Sequence, residues 1–353
     1  MDRSFYLDLA RQGLRMPIGT DLLLYESPDP DRIVRDGPAL GRVVEAAARR
    51  YDTPLAFAHM DLMREKGSLL GLLDIPPDRI PTYHFDGCPG AETVERVRAR
   101  LDGPLHPALQ AHVDSVAYLA QRTDLVPIGM SIGPFSLTTK LLADPITPIY
   151  LAGMGATADE EAEVRAVETL LDLSLAMVLR TVGAQLAAGA KAVFIAEPAA
   201  NSVFLSPKQL AAGADIFERY VTAPNRRIAA LLAAHGADLI FHCCGELTDE
   251  MVGAFGSLDP AILSLGSSRK LWEDARLVSP RTVLYGNLPS KHFYSDEVVS
   301  LDDVRRMACD LLAKMRAAGH PFILGSECDI LHVPGHAETI QSKVDAFVRC
   351  RCD

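Results

Sequence analysis

The residues most able to do chemistry stand at the ends of apolar runs. In "FHCCGE", residues 241–246, a histidine and two adjacent cysteines follow the run "ADLI". Side chains alternate along a strand, so His242 and Cys244 share one face and Cys243 points to the other. Cys328 directly follows "PFILGSE", the end of another apolar run. Two cysteines and a histidine form a soft donor set that suits Zn2+, and three protein ligands leave a fourth position open, as in catalytic zinc sites. An H-x-C spacing alone is a weak signal, because a free cysteine is most often a small buried hydrophobe. A second cysteine at another strand end strengthens the metal reading and leaves both readings open.

Other polar residues end strands in the same way. Glu197 is a candidate for a fourth, displaceable ligand or for a base near the metal; the ordinary alternative is a capping or salt-bridged acid. Asn287, which ends "TVLYGN", is a candidate for hydrogen bonding to substrate or for holding loop geometry. Asp61 is a rim candidate, and His59 beside it reads as an ordinary residue. Asn201 and Ser202 read as turn chemistry. His332 and His336 follow Cys328 as groups that could support the site, although Gly335-His336 reads more simply as the opening of the last helix. Trp272 and Tyr285 offer aromatic surface, but a lone aromatic is more often core. Cys243 reads as core. Cys88, Cys309, Cys350 and Cys352 receive no role, since the C-x-C of the tail supplies too few ligands for a metal site.

The elements that must position these residues read as a parallel α/β fold. Seven short apolar runs are expected strands: 55–61, 126–133, 192–198, 238–245, 261–267, 282–287 and 321–327. They lack polar alternation, as parallel strands covered on both faces do. Helical patterns lie between them, over 158–190, from Ser206-Pro207 to Gly236, and from Ser300 to Gly319. Ser300 with an acid three residues on resembles a capping box. Repeated strand–helix–strand without a glycine-rich dinucleotide fingerprint favours a (β/α)8 barrel, whose strand C-termini carry the chemistry. The eighth strand is expected within the first 120 residues, where the pattern is weakest. One barrel domain over 1–353, with an elaborated N-terminal segment of about 50 residues, is the simplest organisation.

Composition excludes several classes. The net charge of -11 is wrong for a general nucleic-acid binder. No apolar run reads as long enough to span a bilayer, and the first residues lack a signal-peptide pattern, so a cytoplasmic location is expected. Seven cysteines, an odd number in a large chain, argue against a disulfide scaffold.

Four segments, "PIGMSIGPFSL", "IAEPAANSVFLSPKQL", "VLYGNL" and "FILGSECDILHVPGHAETIQSKVDAF", resemble in order the uroporphyrinogen decarboxylase superfamily. The resemblance runs from about Leu55 to the C-terminus and implies a (β/α)8 barrel. The decarboxylases of that superfamily lack the H-x-C and the late cysteine. Its zinc methyltransferases that act with methylated corrinoid proteins, such as the methylcobamide:coenzyme M type, carry both, and His242, Cys244 and Cys328 stand in the matching places. The resemblance therefore implies Zn2+, a corrinoid (methylcobalamin) as co-substrate on a partner protein, and methyl transfer to a small thiol. Alternatives are demethylation of a methyl ether, a metal-free decarboxylase, and a non-catalytic barrel that binds a corrinoid partner or uses its metal structurally. Two departures stand out: Gly266 replaces an acid that often ends its strand, and "QGLRMP" with Arg15 is at best a trace of the decarboxylases' arginine-rich segment. With no D-x-H-x-x-G motif in the chain, the corrinoid must arrive on another protein or free.

Overall fold

The computed structural model describes residues 2–352. Eight strands form the sheet: β1 (Arg15–Ile18), β2 (Leu55–Phe57), β3 (Val126–Ile132), β4 (Ala192–Ala196), β5 (Asp238–Cys243), β6 (Ile262–Leu265), β7 (Val283–Leu288) and β8 (Phe322–Asp329). Neighbours pair in parallel in the order β1-β8-β7-β6-β5-β4-β3-β2, giving a nearly closed (β/α)8 barrel. At the β1–β2 seam, side chains bridge: Thr20 Oγ1 donates to the Phe57 carbonyl at 3.0 Å, and Thr53 Oγ1 lies 3.3 Å from Met16 Sδ.

The strand hidden from the periodicity is β1. It has only four residues, "RMPI", and Pro17 removes one ladder donor, so neither length nor pattern marks it. Its register on β8 jumps from Met16–Gly325 to Ile18–Asp329, so two extra β8 residues bulge at the C-terminal rim. Below that bulge, Tyr285 crosses from β7 and donates its hydroxyl to the Met16 carbonyl at 3.0 Å. Gly325 permits the crossing, because a Cβ there would lie 2.2 Å from the ring. Tyr285 is thus core.

The expected 158–190 helix runs from Ala162 to Ala187. By length and composition it is apolar enough to cross a membrane, which corrects the sequence expectation, but 56% of its most apolar window is buried against the barrel. The expected 206–236 helix is broken into Pro207–Ala211, a wide turn over Glu218–Thr222, and Ala223–Ala234. Gly213, at φ +92°, ends the first piece, and Pro224 denies the last one a backbone donor. Leu301–Ala318 carries the full Ser300–Asp303 capping box and stops at Gly319 in the left-handed region, φ +67°.

The tail differs from expectation. It folds back on Leu301–Ala318, where Cys309 and Cys352 form a disulfide and Cys350 Sγ lies 3.7 Å from Cys352 Sγ. Arg15 donates from its guanidinium to the carbonyl of Cys350 and to its Sγ. Arg15 starts β1, so it belongs to the N-terminal rim and does not face the barrel mouth.

After β2 the chain enters the buried helix Arg64–Gly71. Glu65 within it is fully buried; it accepts from Ser131 Oγ at 2.7 Å, and its other oxygen has no partner among the described residues. Burial raises its pKa to about 7, against the smaller opposing pull of Arg64 and the Ser131 hydrogen bond. The folded state therefore keeps a proton that the unfolded chain releases above its ordinary value of 4.5. Stability falls as pH rises between those values and levels off above the higher one, by at most about 3 kcal/mol. Glu65→Gln should match the wild type in denaturant unfolding at pH 5 and exceed it in stability at pH 8. Parallel pH profiles for the two proteins would remove Glu65 as the cause.

Candidate metal centre

The β4–β5–β6 ladder places the imidazole. His242 is level with Ala196 of β4 and Ser264 of β6. Its Nδ1 lies 2.8 Å from Ser264 Oγ, and its ring stacks on Phe194 with centroids 5.2 Å apart. With Nδ1–H donating to Ser264, the lone pair stands on Nε2. That atom is buried and has no partner among the described residues. Cys244 follows one residue beyond β5, and the β8 bulge presents Cys328 from the far side. The His242, Cys244 and Cys328 ligand atoms all lie within 4.8 Å of one another. Tetrahedral zinc with bonds of 2.0–2.3 Å separates its ligands by about 3.5 Å, so a small contraction would close the set. A buried lone pair beside two thiols is the chemistry zinc selects, and the residues fit it.

The two cysteines shift each other's proton affinity in opposite directions. The contact with Cys328 lowers the pKa of Cys244 most, and the Lys291 ammonium adds to that against the effect of burial. The same contact, with burial, pushes the Cys328 thiol up. Lys291, just past β7, is pulled down by partial burial, but Cys244, Glu327 and Cys328 outweigh this and hold its ammonium above the usual value. Glu327 accepts from the Ser267 backbone N at 3.2 Å and its hydroxyl at 2.7 Å, with Lys291 Nζ at 3.9 Å. Gly266 has a steric reason: a Cβ there would lie 2.7 Å from the Cys244 carbonyl oxygen. An acid at that strand end would push Cys244 away.

Other residues of the sequence reading fall outside the trio. Glu197 is fully buried and turned toward the helix Pro134–Leu141: it accepts from the backbone N of Phe135 at 3.2 Å and of Ser136 at 2.8 Å, and from Asn225 Nδ2 at 2.9 Å. Burial raises its pKa in spite of those donors. Asn287 donates to the carbonyls of Gly266 at 2.8 Å and Arg269 at 2.9 Å, so its amide holds the loop after β6. Cys243 is buried with its Sγ 3.6 Å from the Ala200 carbonyl. Asn201 closes its own turn through Pro198 and Val203. His336 precedes the last helix, and His332 stacks on Tyr25. Trp272 takes Lys314 over its ring at 4.2 Å, against the outer helix.

A cavity of about 550 Å3 opens beside Cys328, the one member of the trio in its lining. Cys328 and Lys291 line it on one side; Asp21, His59, Asp61 and Asp329 contribute polar groups, and Met60, Leu62, Tyr294, Leu331 and Val333 the apolar wall. Sequence reasoning missed Ser264, Lys291, Asp21 and Asp329. Register opposite His242 could have found Ser264, and adjacency to Cys328 could have found Asp329. Lys291 and Asp21 lie in loops whose course only the fold reveals.

Removing the Glu197 carboxylate would strand three buried donors. Glu197→Ala should therefore cost about 3 kcal/mol or more in denaturant unfolding and leave unchanged any metal content the wild type has. Lost zinc with undiminished stability would instead make Glu197 a ligand.

The family model for uroporphyrinogen decarboxylase (URO-D) matches residues 34–351. Among solved structures, a methyltransferase from Methanosarcina mazei shares the fold with a TM-score of 0.64 at 14% identity, covering 98% of each chain. No curated protein matches the chain. A match across nearly the whole sequence, on a barrel of the expected topology, places this protein in the uroporphyrinogen decarboxylase family.

Proposed function

We propose that the protein is a zinc-dependent methyltransferase that moves a methyl group between a protein-bound corrinoid and a small substrate, a thiol first of all. The observation that carries this reading is the unpartnered Nε2 of His242, buried within 4.8 Å of the sulfurs of Cys244 and Cys328, of which Cys328 also lines the mouth cavity. The structural neighbour named as a methyltransferase is consistent with it. A decarboxylase of polyanionic substrates is less well supported, because the described lining of the mouth includes no arginine and Arg15 serves the opposite rim.

His242, Cys244 and Cys328 would hold the ion, which when bound supplies the charge that keeps a substrate thiol deprotonated near neutral pH. Ser264 fixes the imidazole so that Nε2 faces the sulfurs. Two cysteine thiolates neutralise a divalent ion, and the Lys291 ammonium then faces any further negative sulfur. The apolar wall keeps water from competing for the methyl group. In the transfer the thiol loses its proton to solvent, sulfur forms the new bond to carbon, and both electrons of the cobalt–carbon bond stay on cobalt. The reverse direction, and a methyl ether in place of the thioether, would use the same residues. The corrinoid protein would dock over the mouth.

Purified wild type should contain about one zinc per chain, as a single three-ligand site requires. His242→Ala and Cys328→Ser should lose the metal and at least ~100-fold of the rate at which thiols demethylate methylcobalamin, followed by the cobalamin spectrum. Ser264→Ala should bind zinc about 10- to 100-fold more weakly while the fold persists. A wild type without zinc, or ligand variants that retain it, would defeat the proposal.

A further inference from the structure

Away from the mouth, the fold gathers three sulfurs that the methyl-transfer reading does not use. The tail's C-x-C supplies Cys350 and Cys352, too few for a metal site by themselves, and the helix Leu301–Ala318 adds Cys309. The three Sγ atoms lie within 4.8 Å of one another. Cys309 and Cys352 are joined as a disulfide, which needs no third partner. Yet Cys350 Sγ stands 3.7 Å from Cys352 Sγ, and Arg15 donates a guanidinium N–H to it at 3.0 Å. The Cys350 thiol itself donates to the Phe347 carbonyl at 3.3 Å, a bond within its own turn of chain.

Opening the disulfide would turn this cluster into three thiols. A dithiol reductant supplies the two electrons and two protons: its own sulfurs join, the bond between Cys309 and Cys352 breaks, and both end as S–H. Three thiols gathered in this way are a soft donor set. Tetrahedral zinc with Zn–S bonds of about 2.3 Å holds its sulfurs about 3.8 Å apart, close to the 3.7 Å that separates Cys350 from Cys352. Binding through all three would release their protons and leave one net negative charge on the site. The Arg15 guanidinium, already in contact with Cys350 Sγ, would offset that charge. All three cysteines are half-buried, so solvent can supply the fourth ligand.

We propose that Cys309, Cys350 and Cys352 form a second metal site, gated by redox state: a soft divalent ion, Zn2+ by preference, binds them when the disulfide is reduced, and the disulfide excludes it. The bound ion keeps the tail tied to Leu301–Ala318 and, through Arg15, to β1 while the covalent tie is open. Cys350 has a purpose in this reading that a plain disulfide does not give it.

The test uses the full chain carrying His242→Ala and Cys328→Ser, which removes the trio at the mouth. Reduced with a phosphine, freed of it anaerobically and given Zn2+ alone, each chain should retain about one ion through desalting, and the disulfide form none. Co2+ in place of Zn2+ should give the sulfur-to-metal charge-transfer absorption of a tetrahedral thiolate site only after reduction. Adding Cys350→Ser should abolish the retained ion and the absorption, while peptide mapping without reductant still finds Cys309 joined to Cys352 in the oxidised chain. A reduced chain that retains no zinc would overturn the site, and so would a Cys350→Ser chain that retains as much. If the background variants do not fold, the reduced wild type should hold one ion more than the reduced Cys350→Ser protein, and equal contents would overturn the site. The mouth trio is absent from the first test and cancels in the second, so this proposal and the methyl-transfer reading fail separately.

Discussion

Two sulfurs and an imidazole nitrogen lie within 4.8 Å of one another at the rim of this barrel. Electron-rich atoms this close repel unless protons or cations are shared among them, and burial strengthens the repulsion. Much of the surrounding structure answers that constraint. Lys291 holds its charge toward both sulfurs, and Ser264 occupies the other nitrogen of His242. Gly266 lets the Cys244 backbone come close, and the β8 bulge turns Cys328 toward it. A divalent cation would displace the thiol protons, so metal binding at this rim would release protons and strengthen with pH.

The buried carboxylates separate by how well they are satisfied. Glu197 has three donors and secures a helix start to β4. Glu327 has the backbone and hydroxyl of Ser267 and ties the β6 and β8 ends together at the rim. Glu65 has one good donor and burial that favours its neutral form. Asp329 has none for its side chain among the described residues. The satisfied acids explain the barrel's geometry, whereas burial beside Asp21 holds the unsatisfied Asp329 in its neutral form.

The sequence made the trio legible because its logic is local. A strand end with H-x-C puts two ligands on one face, and a second strand end supplies Cys328. The parallel topology was legible for the same reason, since seven of the eight strands are apolar runs. β1 was not, because four residues with a proline carry no period. Glu197 and Asn287 stand at strand ends, as the rule for barrels requires, yet the hydrogen bonds that occupy them come from segments distant in sequence. Position along a strand tells which rim a residue reaches; it does not tell whether backbone donors have reached it first. The tail cysteines show the same limit, since Cys309 joins Cys352 across a separation of 43 residues.

That disulfide also bears on the site, although it lies on the other face. The loop it closes contains β8, its bulge, Cys328, Asp329 and the last helix. In a chain-entropy account a loop of this length removes about 4 kcal/mol of freedom from the unfolded chain. Arg15 adds a second tie, from β1 to the same tail. β1 and β8 are the pair that bulges at the mouth, and a bulged pair has fewer ladder bonds there to resist slippage. The disulfide fastens the helix that leads into β8 to the tail, and Arg15 fastens β1 to the same segment, which limits how far β1 can slide. Stability at one rim thus supports the irregular strand end that delivers a metal-ligand candidate at the other, the division of labour expected of a barrel whose chemistry is confined to its C-terminal face.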